Sequence, residues 1–142
     1  MVAIAPSFRG NRQYPGAEPG HGEDRGAQAE EPAIDLVHLA RQTMGDQALE
    51  VELLELFDGQ SARIMAQLAG AQAADARLRG DLAHTLRGSA LAIGAGKVAR
   101  AAQTYEALHQ ERSPRQGAVK AALEALTDAV AEARAAIARL LG

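Results

Sequence analysis

The sequence predicts an all-α protein, folded as an up-and-down antiparallel four-helix bundle with a short additional N-terminal helix. Alanine, the strongest helix former, is the commonest of the 142 residues, and aromatic residues make up only 3%. From residue 33 onward, apolar residues recur at the three- and four-residue spacing of amphipathic helices. Short loops between such helices favour antiparallel neighbours, and no strand signal competes with this pattern.

The composition of the chain changes near residue 32. Residues 1–32 hold four of the five prolines and five glycines, and they show no apolar periodicity. Such a composition cannot offset the entropy lost on ordering, so it predicts a disordered tail over 1–32. The bundle domain is expected to span 33–142.

The first two helices are separated and ended by glycines. The first runs from 34 to about 44 and stops at Gly45, and the second runs from about 46 to 69, before Gly70. The predicted buried face of the second helix carries Leu49, Leu53, Leu56, Phe57, Ile64 and Leu68.

The third helix opens near Asp75, a predicted N-cap, and stops at the Gly94-Ala95-Gly96 segment. Its predicted buried stripe is Leu78, Leu82, Leu86, Ser89 and Ile93. The fourth helix spans 97 to about 110. Its inward residues are Val98, Ala102, Tyr105 and Leu108.

A capping signal marks the start of the fifth helix. Ser113 can serve as N-cap, Pro114 suits the first helical position, and Gln116 completes an S-x-x-Q capping box. A heptad-like seam follows, formed by Val119, Leu123, Leu126, Val130, Ala133, Ile137 and Leu140.

Composition excludes several classes of function. With 15 basic and 18 acidic residues, the net charge of −3 argues against a nucleic-acid-binding surface. The absence of cysteine excludes disulfides and cysteine-ligated zinc. No apolar run is long enough to span a membrane, and the first residues lack the features of a signal peptide. We therefore expect a monomer that acts in the cytoplasm, without contact to a membrane.

One histidine of the third helix lies opposite the predicted buried stripe. With Leu82 at zero and about 100° per residue, His84 falls at about 200°. The same face carries Gly80, Arg87, Gly88 and Leu91. His84 is therefore expected to project into solvent between two glycines, each one turn away.

Each feature of this face has an ordinary and a functional interpretation. A glycine exposed in a helix costs roughly 1 kcal/mol against alanine, so Gly80 and Gly88 are either tolerated or clear space for a partner. Leu91 is either a scattered apolar residue or a docking contact. Arg87 is either a solvated charge or a group that binds an anion held on the His84 ring.

Residues 83–98, AHTLRGSALAIGAGKV, resemble the signature of the histidine-containing phosphotransfer (HPt) domain, H-x-[LI]-[KR]-G-[SA]-[SA] with Gly-Ala soon after. The matching residues are His84, Leu86, Arg87, Gly88, Ser89, Ala90, Gly94 and Ala95. The segment 75–93 resembles the phospho-acceptor helix of the family. The order and lengths of the helices over 33–142 are also similar to those of the family.

The resemblance implies a phosphoryl carrier in a bacterial two-component phosphorelay. His84 would accept the phosphoryl group, through Nε2, from the aspartyl phosphate of a response-regulator receiver domain or a hybrid histidine kinase. Arg87, in place of the usual lysine of the family, would stabilise the phosphoryl oxygens, and Gly88 would let the receiver approach the ring. Mg²⁺ would be held by the receiver's own carboxylates, so this protein would need no cofactor or metal and would not be an enzyme.

Four residues are candidates for contact with the partner: Arg77, Gly80, Leu91 and Lys97. Between residues 75 and 100 there are five basic residues (Arg77, Arg79, Arg87, Lys97 and Arg100) against two acidic ones (Asp75 and Asp81). A local charge of +3 suits a carboxylate-lined receiver site. Alternatively, these charges only solvate the face of a helix.

Two other functions stay open. The dimerisation and phosphoacceptor fragment of a sensor histidine kinase is disfavoured by Thr85 and Ser89, where kinases carry an acidic residue and usually a proline, and the chain has no room for an ATP-binding domain. The third possibility is a helical adaptor that keeps the HPt fold without the chemistry. No metal site is expected, since His21, His38 and His109 lack a set of partners at ligand spacing.

Overall fold

The computed structural model describes residues 31–70 and 75–142. The tail predicted over 1–32 lies outside the described residues, apart from the last two. The described chain forms five helices and no strand. They are α1 (Leu36–Thr43), α2 (Gln47–Ala69), α3 (Ala76–Ile93), α4 (Gly96–Leu108) and α5 (Gln116–Leu141). Among the described residues, no helix is both long and apolar enough to cross a membrane.

Helices α2 to α5 form a closed bundle in which each helix packs against two others, and α1 lies across α2 and α3. Side-chain contacts show the antiparallel course of α2 and α3. Arg79 donates to the carbonyl of Leu68, while Ser89, farther along α3, donates to Gln60, earlier on α2. The predicted all-α fold, a four-helix bundle with a short leading helix, is confirmed.

Aspartates cap three of the five helices. Each carboxylate accepts a hydrogen bond from the backbone N–H three residues later: Asp35 from His38, Asp46 from Leu49, and Asp75 from Leu78. These bonds satisfy backbone donors that have no partner within the helix. The predicted N-cap at Asp75 is therefore confirmed.

The predicted start of the last helix is wrong. Helix α5 begins at Gln116, its N-cap is Arg115, and no side chain caps it. The N–H groups of Gln110 and Glu111 still bond to carbonyls of the last turn of α4. The crossing to α5 therefore occupies the following residues, and Ser113 lies too early in the chain to serve as the cap.

The core differs in part from the predicted stripes. On α2 and α3 the buried positions follow a three- and four-residue alternation: Leu54, Phe57, Ser61, Ile64 and Leu68, then Ala83, Leu86, Ala90 and Ile93. Leu49, Leu56 and Leu78, predicted to be buried, are exposed. Small residues at the seam allow the helices to approach closely, so the larger side chains beside them are left outside.

Similar shifts occur on the last two helices. On α4, Ala99 joins the predicted Val98, Ala102 and Tyr105 in the core, and Leu108 is half-buried. On α5, Leu140 is exposed, whereas the small side chains of Ala122 and Ala136 are buried. The seams that sequence periodicity predicts are thus rotated slightly towards alanines.

The C-terminal end of α3 anchors α1. Gly94 ends α3 in the left-handed backbone region, and its carbonyl accepts the N–H of Asp35 at 2.9 Å. His38 Nε2 lies 2.8 Å from the carbonyl oxygen of Leu91, one of the last carbonyls of the helix. Both contacts use groups that the end of a helix leaves without an internal partner.

Candidate functional site

His84 lies near the middle of α3, and its side chain is 67% exposed. Its neighbours in sequence, Ala83 and Leu86, are fully buried and hold this part of the helix against the core. The imidazole therefore projects from a rigid element rather than from a loop.

The two nitrogens of the His84 ring have different surroundings. Nδ1 lies 2.9 Å from Oε2 of Glu106, which projects from the neighbouring helix α4. Because an ionised carboxylate only accepts hydrogen bonds, Nδ1 carries the proton in this pair. Within residues 31–70 and 75–142, Nε2 makes no hydrogen bond. The ring is thus held in the tautomer whose exposed nitrogen has a free lone pair.

Glu106 also faces Arg87. Nη1 of Arg87 is 3.5 Å from Oε1 of Glu106, so the two oxygens of one carboxylate serve two partners. The side chain of Glu106 is 14% exposed and that of Arg87 is 36% exposed. A long, partly exposed ion pair contributes about 0–1 kcal/mol. Arg87 can therefore leave Glu106 at little cost if a stronger anion comes within reach.

Sequence reasoning missed Glu106 as a partner of His84. A signal was present in the chain. Helices α3 and α4 form an antiparallel hairpin around Gly94 and Ala95, and His84 precedes that turn by about as many residues as Glu106 follows it. Residues equidistant from the turn of a helical hairpin lie at the same level.

The two glycines beside His84 have different surroundings. A Cβ added to Gly88 would meet nothing within 4 Å. A Cβ added to Gly80 would lie 3.8 Å from Cβ of His109, an ordinary contact. Neither position needs glycine for the packing of this protein itself, and the surface above Gly88 is open.

Arg77 and Leu91 flank His84 at seven residues on each side, which places them on the same face of α3 about two turns away. Both are exposed, Leu91 to 52%. Gly88 is also exposed on this face, one turn after His84. Their predicted role in partner binding stays a prediction.

The basic residues counted on the sequence do not form one patch. Lys97 Nζ pairs with Glu132 of α5 at 3.2 Å and lies nine residues from Glu106 along α4, about 13 Å. Arg79 donates to the hydroxyl of Tyr105 and to the carbonyl of Leu68. Of this group, the structure brings Arg77 and Arg87 to the His84 face and places Lys97 at the other end of α4.

An apolar groove of about 300 Å³ runs beside this face, between α2 and α3. The groove lies next to Ser89, whose hydroxyl donates to Gln60 Oε1 at 2.5 Å. Ser89 is half-buried, although the sequence predicted it to be in the core. Leu56, which lines the groove, is 67% exposed. Sequence periodicity predicted Leu56 to be in the core and thus missed this surface.

The remaining described histidines are engaged elsewhere. His38 contacts the Leu91 carbonyl, and His109 Nδ1 lies 2.9 Å from the carbonyl oxygen of Tyr105. In the described part of the chain, no cluster of three or more histidine, aspartate or glutamate side chains is placed to hold a metal ion. His21 lies outside the described residues.

Comparison with known families decides the classification. The family model of the Hpt domain matches residues 52–136, which is 85 of the 142 residues. The chain belongs to the Hpt domain family. The match begins within α2 and includes His84, Arg87 and Glu106.

The Hpt fold is also found by structural comparison. The chain is similar to the X-ray structure of a rice protein described as a histidine-containing phosphotransfer protein, with a TM-score of 0.66 and 17% identity. The alignment covers 88% of this chain and 90% of the rice chain. A comparison with curated proteins gives no significant match.

Family membership confirms the predicted class of function. The protein is a histidine phosphotransfer protein of a phosphorelay, and its partners are receiver domains or kinases of such a relay. Hpt domains carry phosphoryl groups rather than catalyse a reaction of their own.

Proposed function

We propose that Nε2 of His84 accepts the phosphoryl group from an aspartyl phosphate on a receiver domain, of a response regulator or a hybrid histidine kinase, and passes it to another receiver. One observation supports this atom above all. Glu106 holds Nδ1, so the proton is on the inner nitrogen and the lone pair is on the outer one. A neutral imidazole with an exposed lone pair is a competent nucleophile near pH 7.

The transfer needs little from this protein beyond a positioned nucleophile. The lone pair of Nε2 forms the N–P bond while the bond between phosphorus and the aspartyl oxygen breaks, and the aspartate leaves as a carboxylate. Mg²⁺ held by the receiver neutralises the charge that develops on the phosphoryl oxygens. Because the receiver supplies the Mg²⁺, this protein would need no cofactor or metal of its own. We further propose that it is a monomeric phosphocarrier of bacterial phosphorelays that acts in the cytoplasm.

The exposed face of α3 is the surface on which we expect the receiver to dock. Gly88 leaves room above the helix, and Arg77 offers a positive charge to a carboxylate-lined site. Leu91 and the groove lined by Leu56 add exposed apolar area to this surface. Lys97, at the far end of α4, would contribute only to a partner large enough to reach past Leu91.

Arg87→Ala should shorten the lifetime of the phosphohistidine and slow its formation by about tenfold or more, because hydrogen bonds to charged groups contribute about 1.5–3 kcal/mol. Arg87→Lys keeps the charge but not the planar guanidinium, so its rates of phosphohistidine formation and decay should lie between those of Arg87→Ala and the wild type. Formation and decay of the label are followed by rapid quench. Unchanged kinetics in Arg87→Ala would remove the role assigned to this residue.

The proposed function is tested by transfer from a phosphorylated receiver in the presence of Mg²⁺. We expect an acid-labile, base-stable label on the wild type and none on His84→Gln. His38→Gln is the matched control, since it makes the same change on α1 and should label normally. Absence of label on a folded wild type, with several receivers tried, would instead support an adaptor. Labelling by ATP without a donor protein would support the kinase fragment.

A further inference from the structure

We propose that Glu106 is a positioning residue that keeps the Nδ1 proton on His84 after phosphorylation as well as before it, and thereby allows the phosphoryl group to leave again. This inference rests on the proposed function of His84. It concerns the return step, from phosphohistidine to a receiver aspartate, which the forward geometry alone does not explain.

The proton balance of the two directions shows why Nδ1 matters. When Nε2 forms the N–P bond, Nδ1 retains its proton, and the ring becomes a cationic phosphoimidazolium. In the return step an aspartate oxygen attacks phosphorus, the N–P electron pair goes back to Nε2, and a neutral imidazole leaves. If Nδ1 lost its proton in between, the leaving group would be an imidazolate anion, which is far poorer.

Glu106 is placed to prevent that loss. Its Oε2 lies 2.9 Å from Nδ1, and its side chain is only 14% exposed, so water competes weakly for the same hydrogen bond. A charged acceptor at this distance stabilises a protonated, cationic ring more than a neutral one. No proton then has to move in either direction of transfer.

Other charged groups around the ring do not replace this role. On α3, Asp81 and Arg87 lie within one turn of His84, and Arg87 itself faces Oε1 of Glu106. On α4, His109 follows Glu106 by one turn, but its Nδ1 lies against the Tyr105 carbonyl. On α2, the guanidinium of Arg63 lies beside Gly59. Glu106 is the carboxylate in hydrogen-bonding contact with the ring.

The experiment compares the wild type with Glu106→Gln in transfer back to an unphosphorylated receiver, between about pH 6 and pH 9. The full chain is first loaded with phosphoramidate, a small donor, so that a defect in the forward step does not prevent the measurement. In wild type the rate should decline only near the top of this range. In Glu106→Gln the decline should begin at lower pH, leaving the variant about tenfold slower or more near pH 8.5.

Asp58→Asn is the matched control. It also neutralises a carboxylate that pairs with an arginine on another helix, here Arg134 at 2.8 Å. This pair joins α2 to α5, whereas His84 and Glu106 lie on α3 and α4. Its pH profile should match that of the wild type. In addition, the ¹⁵N resonance of Nδ1 in the phosphorylated protein should show that this nitrogen loses its proton at lower pH in Glu106→Gln than in the wild type. A purely structural role of Glu106 would not produce this change.

The outcomes separate the two proposals. A wild type that takes up no phosphate on His84 contradicts the proposed function. If both proteins load normally and their pH profiles are identical, the role of Glu106 is contradicted, but the proposed function is not. A Glu106→Gln variant slowed by the same factor at every pH would show that Glu106 only supports the local structure, which also overturns the inference.

Discussion

Replacing Gly88 with leucine should abolish phosphotransfer without disturbing the bundle. The exposed backbone at Gly88 has open space where a side chain would begin, so leucine fits the isolated protein. Glycine is a poor helix former, and the substitution should raise the free energy of unfolding by about 0.5–1 kcal/mol. In the complex, however, the leucine side chain would occupy the space one turn from His84 into which the receiver must close. Since a misplacement of about 1 Å can reduce a rate a hundredfold, we expect a loss of at least about that size.

Gly88→Ala is the graded control for this prediction. It gains at least as much helix propensity and adds only one methyl group, so transfer should fall much less than in Gly88→Leu. Stability is measured by urea denaturation and transfer by rapid quench with the same receiver. Near-normal transfer by Gly88→Leu would contradict the idea that this position is kept open for the partner. Unfolding of Gly88→Leu would contradict the open surface seen at this position.

Gly94→Ala should have the largest effect on stability. Gly94 has a φ of +80°, where a side chain costs about 1–2 kcal/mol. An added Cβ would also lie 2.8 Å from the backbone oxygen of Asp35 and 3.2 Å from its nitrogen, which is the donor to the Gly94 carbonyl. Relief of that clash must move the start of α1 and weaken this hydrogen bond. We expect a total loss of about 2–4 kcal/mol in the free energy of unfolding.

Two other glycines separate the contributions to that loss. Gly45 has a φ of +78° but nothing within 4 Å of an added Cβ, so Gly45→Ala should incur the backbone cost alone. Gly117 has neither a positive φ nor a close neighbour, and Gly117→Ala should be neutral or slightly stabilising. If denaturation shows that Gly94→Ala and Gly45→Ala lose the same free energy of unfolding, the contact between Asp35 and Gly94 contributes nothing to stability. The Gly94-Ala95 part of the HPt signature then has no structural role in seating α1.

Local signals in the sequence predict most of the helices and the placement of His84. Asp75 as a cap and Gly94 as a stop depend on the chemistry of one turn of helix, so they can be read without knowledge of the fold. The solvent-facing position of His84 follows from the periodicity of α3 alone. At the start of α5 the same kind of rule misleads, because the turn after α4 continues through Pro114, so that Arg115 rather than Ser113 is the N-cap.

Features that depend on two helices were harder to predict. Leu56 has the apolar character of a core residue, but the seam of α2 passes through Leu54 and Ser61 instead, because burial is decided by which helix lies opposite. The pairing of His84 with Glu106 likewise depends on the relative rotation of α3 and α4. Periodicity describes each helix about its own axis and carries no information about that rotation. The position of the hairpin turn indicates only that His84 and Glu106 lie at the same level along the two helices.

The central claim, that Nε2 of His84 carries the phosphoryl group, is tested most directly by NMR of the phosphorylated, ¹⁵N-labelled protein. Coupling between phosphorus and the imidazole nitrogens identifies both the residue and the atom. We predict a single phosphorus bonded to Nε2 of His84, with the proton retained on Nδ1. Phosphorus on Nδ1, or on the ring of His21, His38 or His109, would contradict the account.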